Sequence, residues 1–172
     1  MKRLKRSGIG LAELLISVSL MAALLAAVAA AMNATFTGYS ENEKISSATQ
    51  AARSVLNRVA TDVRRCEDAT VTATSVTLVP VADGSGLTQL KYELLNGTLF
   101  YYRTVNGVTT TYTLLGSGDR AQVTAFVVNR VAGTDAGGQA CTTSVTVALT
   151  LTVDNRTLTV TTTADPRRNQ LF

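Results

Sequence analysis

The stretch from Lys2 to Met32 limits what this chain can become more than any other. Four cations, Lys2, Arg3, Lys5 and Arg6, precede Ser7 and Gly8. Ile9-Gly10-Leu11-Ala12-Glu13 follows, and then a run from Leu14 to Met32 broken only by Ser17 and Ser19. As a helix, Ile9 to Met32 covers ~36 Å, enough for a hydrocarbon core about 30 Å thick. Basic residues on one flank and no acids there predict a cytoplasmic N-terminus and an exported remainder. Glu13 is the anomaly. A carboxylate in hydrocarbon costs a few kcal/mol unless it is paired, so its place calls for a reason.

The basic leader, Gly8 and Glu13 five positions later resemble the class III leader of type IV pilins and type II secretion pseudopilins. The resemblance implies cleavage between Gly8 and Ile9 by a membrane-embedded prepilin peptidase and N-methylation of Ile9. Glu13 would then be an assembly residue, its carboxylate neutralising the Ile9 ammonium of a neighbouring subunit. Two charges that are each costly alone become tolerable as a desolvated pair. The chain departs from the family in having Ile9 where Phe is usual and Gly10 where Thr is frequent.

Two plainer readings compete. A secretory signal peptide would use Ala29-Ala30-Ala31 for cleavage, but its apolar region spans about 7–15 residues, and this one is longer and opens with an acid. A simple single-pass anchor would let Glu13 snorkel to the headgroups. Neither accounts for the Gly8–Glu13 spacing.

The 172 residues suit an anchor and one small domain. The formal charge of +4, from 16 basic and 12 acidic residues, resides in the leader cations. The remainder is neutral, so nucleic acid is not expected as a partner. The Arg64-Arg65 and Arg167-Arg168 doublets read as solvated ends.

From Ile45 the apolar residues Ala48, Ala52, Val55, Val59 and Val63 recur every three or four positions, with Cys66 next in phase. Arg53, Asn57, Arg58, Asp62 and Arg65 lie outside that stripe. One helix over residues 9–66 is predicted, apolar over 9–32 and amphipathic from about 40, with a break near Gly38 as the alternative. A capping box at Ser40 and Glu43 would accompany such a break.

Residues 67–172 read as an antiparallel β head. Leu90–Leu94, Leu99–Arg103 and Val108–Leu114 are joined by Asn96-Gly97 and Asn106-Gly107, strong hairpin signals because both residues tolerate positive φ. Val123–Val128 reads as another strand. Val145 to Val153 alternates apolar with Ser, Thr and Ala, turns at Asp154-Asn155-Arg156 and returns through Leu158 and Val160. The glycine-rich loops at Asp83–Gly86, Gly116–Asp119 and Gly133–Gly138 lack phosphate-binding spacing. The expected fold class is therefore α+β, a long N-terminal helix packed on an antiparallel sheet. That architecture is pilin-like, and the Tyr92-to-Arg103 hairpin, the later paired strands and Arg168-Asn169 resemble J-type minor pseudopilins and related minor pilins.

Cys66 and Cys141 are the only cysteines. An even number in an exported domain favours a disulfide, worth roughly 4 kcal/mol on the chain-entropy model. Two buried thiols are the alternative. With no histidine, the usual general base and commonest transition-metal ligand are missing. Two distant cysteines do not make a zinc site, and no acid cluster has EF-hand spacing. The chain is expected not to be an enzyme and to need no metal, cofactor or small-molecule substrate. The resemblance implies a structural subunit of a pseudopilus or type IV pilus, held in the inner membrane and then drawn into the filament. Its partners would be prepilin peptidase, other pilins or pseudopilins, the inner-membrane assembly platform and membrane lipid. The alternative function is an exported β-domain binding module for a secreted substrate, a surface or DNA, carried by a signal peptide or simple anchor.

Overall fold

A computed structural model describes residues 10–116, 121–134 and 138–166. Gly8, Ile9, the Arg167-Arg168 doublet and Asn169 lie outside them, as do parts of the loops at 116–119 and 133–138. The elements are α1 (Leu11–Arg64), β1 (Cys66–Val71), β2 (Ser75–Pro80), β3 (Leu87–Leu95), β4 (Thr98–Val105), β5 (Val108–Leu115), β6 (Gln122–Thr134), β7 (Ala140–Val153) and β8 (Arg156–Ala164). This is an α+β layout of one long helix and antiparallel sheets. The chain divides into two compact units, Met1–Glu43 and Lys44–Phe172.

In the first unit α1 is rich in Leu and Ala, the strongest helix formers. Gly38 lies within α1, so the alternative break there does not occur. A glycine costs a helix about 1 kcal/mol against alanine, too little to interrupt strong formers on both sides.

In the second unit the helix buries Ala48, Ala52, Val55, Leu56, Val59, Ala60 and Val63. Leu56 and Ala60 widen the expected stripe. The helix stops at Arg64 rather than at Cys66, and Cys66 opens β1. The strands form two sheets where one was expected, with orders β1-β2-β3-β4-β5 and β6-β7-β8. β1 and β2 belong to no strand anticipated from the sequence.

The meander forms as read. Asn96 and Gly97 have φ of 51° and 74°, Asn106 and Gly107 of 49° and 79°, which two-residue hairpin turns require. On β7, Val145, Val147, Leu149, Leu151 and Val153 are buried while Thr146, Thr150 and Thr152 face outward. Thr146 and Thr150 meet Thr163 and Thr159 of β8 hydroxyl to hydroxyl at 3.0 and 3.1 Å. Helix stripe and both sheets share one core, with Tyr92, Phe126, Leu56, Leu78 and Leu99 its largest fully buried members.

Candidate membrane and assembly segment

The first half of α1 carries large apolar side chains and buries none of them. Leu11 is 80% exposed and Phe36 69%, and Leu14, Leu15, Ile16, Val18, Leu20, Met21, Leu24, Leu25, Val28 and Met32 are exposed between them. Contiguous apolar surface of this extent marks a site for lipid or protein. Among the described residues this is the one helix long and apolar enough to cross a membrane.

Its polar side chains suit that environment. Ser17 Oγ donates to the Glu13 carbonyl and Ser19 Oγ to that of Leu15, both at 2.8 Å. Thr35 Oγ1 donates to Ala31 at 2.8 Å and Thr37 Oγ1 to Asn33 at 3.0 Å. Each hydroxyl is satisfied by its own helix, which hydrocarbon demands because no water is at hand. Glu13 is the single charged residue from Leu11 to Ser40. It sits in the first turn of α1, which the Leu14 N–H closes on the Gly10 carbonyl at 3.1 Å. Unpaired N–H groups at a helix start favour an acid there.

The cysteines do not behave as expected. Cys66 and Cys141 are both buried, and no disulfide joins them. In the strand register Cys66 lies opposite Pro80 of β2 and Cys141 opposite Gly133 of β6. Thr142 is the β7 residue that reaches β1, its Oγ1 donating to Asp68 Oδ1 at 2.6 Å and approaching the Ala69 carbonyl at 3.2 Å. Cys66 Sγ instead donates to the Val63 carbonyl at 2.9 Å. Burial, aided by the Asp68 charge, pushes its thiol up to about 12, so it stays protonated at neutral pH.

A polar cluster between helix and sheet was not anticipated. The Tyr92 hydroxyl donates to Asp62 Oδ2, and the Arg58 guanidinium lies 4.0 Å from the centre of the Tyr101 ring. Tyr92 and Tyr101 pack at 5.0 Å between ring centres. Arg58 and Asp62 are one helical turn apart, so they present to one patch of sheet what the sequence alone showed as two solvated charges. Lys44 Nζ meets Asp154 Oδ2 at 3.0 Å, tying the helix to the β7–β8 turn. Among the described residues no cluster of three or more acids or cysteines could hold a metal ion.

Comparison of the chain with protein families, with characterised proteins and with solved structures finds no match.

Proposed function

We propose that this chain is a prepilin-like structural subunit, a minor pseudopilin or minor pilin with a pilin-like fold. One observation carries the reading. A single helix presents an uncharged apolar surface with one carboxylate in its first turn, and continues as the buried stripe of an antiparallel β domain. An ordinary anchor needs neither the carboxylate at that position nor continuity of the helix into the head.

On this reading prepilin peptidase cuts between Gly8 and Ile9, and Ile9 becomes a methylated N-terminus. Until assembly the apolar half of α1 resides in the inner membrane with the head exported. In the filament it exchanges lipid for the same segment of neighbouring subunits, and Glu13 pairs with the Ile9 ammonium next to it. Low dielectric makes that pair selective, because an unpaired buried charge costs roughly 3–5 kcal/mol.

Two measurements on membrane-extracted protein test the reading. Intact mass should correspond to a chain lacking residues 1–8, with or without one methyl. Glu13→Ala should be processed and folded yet fail to crosslink with partner subunits, and Glu13→Asp should be intermediate. A mature N-terminus at Met32, or normal incorporation of Glu13→Ala, would replace the proposal with a signal peptide or a simple anchor respectively.

A further inference from the structure

Phe36 and Tyr39 are the only aromatic residues ahead of Tyr92, and both belong to the first unit of the chain. They are 69% and 72% exposed. Three residues apart on α1, they share one face of the helix.

The charge pattern around them runs along the axis. From Leu14 to Ser40 no residue on any side of the helix is charged, and Glu41 and Glu43 follow at once. A helix that docks on protein is apolar on one face only. The second half of α1 has that pattern, burying Val55, Leu56 and Val59 while Arg53 and Arg58 stay exposed. Exclusion of charge from every face, up to a fixed point along the axis, is what a bilayer imposes, because depth decides there what is tolerated.

The uncharged stretch is also longer than hydrocarbon alone requires. Leu14 to Met32 spans ~28 Å and Leu14 to Ser40 ~40 Å. A bilayer core is about 30 Å thick, and about 40–45 Å with its headgroup regions. Leu14 to Met32 therefore fills the core, and residues 33–40 fall in the polar layer beyond it. Asn33, Thr35, Thr37 and Ser40, polar but uncharged, suit that layer. Phe36 lies ~6 Å beyond Met32 along the axis and Tyr39 ~10 Å. Helical side chains lean toward the N-terminus, so both rings are aimed back at the core. The phenyl ring reaches the core boundary, and the phenol, one turn further out, reaches the headgroups. A tyrosine at that depth keeps its ring in lipid and its hydroxyl in water, as in the aromatic belts of membrane proteins.

We propose that Phe36 and Tyr39 form an interfacial anchor, which binds the phospholipid headgroup layer of the leaflet away from Glu13 and fixes the depth of α1. The membrane-bound segment then ends at Ser40 rather than at Met32. The proposal rests on membrane residence of α1, and is independent of cleavage at Gly8 and of any pairing of Glu13.

The chain contains no tryptophan, so a single substitution supplies a depth reporter. Full-length Leu24→Trp, Phe36→Trp, Tyr39→Trp and Ser54→Trp are reconstituted separately into phosphatidylcholine vesicles, with bromine on the acyl chains either near the headgroup or near the chain end. Position 24, close to the midpoint of the core, should be quenched mainly by deep bromine. Positions 36 and 39 should be quenched several-fold more by shallow bromine than by deep. Position 54, exposed on the amphipathic half of α1, should respond to aqueous acrylamide alone. Adding Phe36→Ala and Tyr39→Ala to Leu24→Trp should roughly halve the deep-to-shallow ratio at position 24, since a span without its anchor slides from the midpoint. Absence of bromine quenching at position 24 would refute membrane residence, and the anchor with it. Quenching there, with positions 36 and 39 as open to acrylamide as position 54, would keep the membrane reading and overturn the anchor. Deep quenching at positions 36 and 39, or a ratio at position 24 that the double substitution leaves unchanged, would overturn it equally.

Discussion

Replacing Tyr92 by Phe isolates the joint between helix and sheet. Tyr92 is fully buried on β3, opposite Val76 of β2 and Tyr101 of β4. Phenylalanine keeps the ring and its 5.0 Å packing on Tyr101, and removes only the hydroxyl that donates to Asp62. A hydrogen bond to a charged group is worth about 1.5–3 kcal/mol. Asp62 is only half-buried, so water can replace part of the lost donor, and a cost of ~1–2 kcal/mol follows. For a domain of this size that lowers Tm by roughly 3–8 °C.

The same substitution should change the response to alkali. Burial first, then the Asp62 hydrogen bond and charge, raise the Tyr92 phenol above its ordinary value of 10.0. The folded chain therefore keeps that proton after the unfolded chain has released it. Stability is intact below about pH 10 and falls above it, at ~1.4 kcal/mol per pH unit for each such group. Cys66, raised from 9.0 to about 12, contributes the same slope from about pH 9. Tyr92→Phe removes one of the two, so wild type and variant should converge as pH rises past 10. Thermal melts of the full chain in micelles between pH 7 and 11 measure both effects. A Phe variant of unchanged Tm would show that the Asp62 contact contributes nothing in solution, and alkaline curves that stay parallel would show that the folded chain does not hold the Tyr92 proton beyond its ordinary range.

Two shorter expectations concern the core and the cysteines. Leu56→Ala removes a side chain only 1% exposed between helix and sheets, and should cost about 2–4 kcal/mol by chemical denaturation. Reducing agent should leave Tm unchanged, and alkylation after denaturation should recover both thiols, because the fold holds Cys66 and Cys141 apart as thiols.

What was legible in the sequence was local. Asn96-Gly97 and Asn106-Gly107 determine their hairpins through residues that tolerate positive φ, whatever surrounds them. The stripe from Ala48 to Val63 follows from helical period alone. β1 escaped notice because it begins two residues after α1 ends, with no glycine or proline between, and because Glu67 and Asp68 interrupt its alternation. β2 ends in Pro80, which weakens a strand assignment, although Val76 and Leu78 alternate and are fully buried. The division into two sheets, the Asp62–Tyr92 contact and the place of Thr142 against Asp68 join positions far apart in sequence, and no short window contains them.

The cysteines show how a compositional rule loses to register. Even number and exported context argue for pairing, but a disulfide also needs Cα atoms within about 7 Å and Cβ atoms that face each other. The contact between β1 and β7 is made instead by Asp68 and Ala69, two and three residues after Cys66, and by Thr142, one residue after Cys141. The head consequently depends on its core and on the helix stripe for stability, without a covalent staple. That places the burden on the amphipathic half of α1. Ala52 and Val59 are wholly buried there, and the same helix continues into a segment that buries nothing of its own. A defect in the amphipathic half should unfold the head, whereas a defect at Glu13 should leave it intact. The two halves of α1 are thus separable by mutation, although one run of backbone hydrogen bonds serves both.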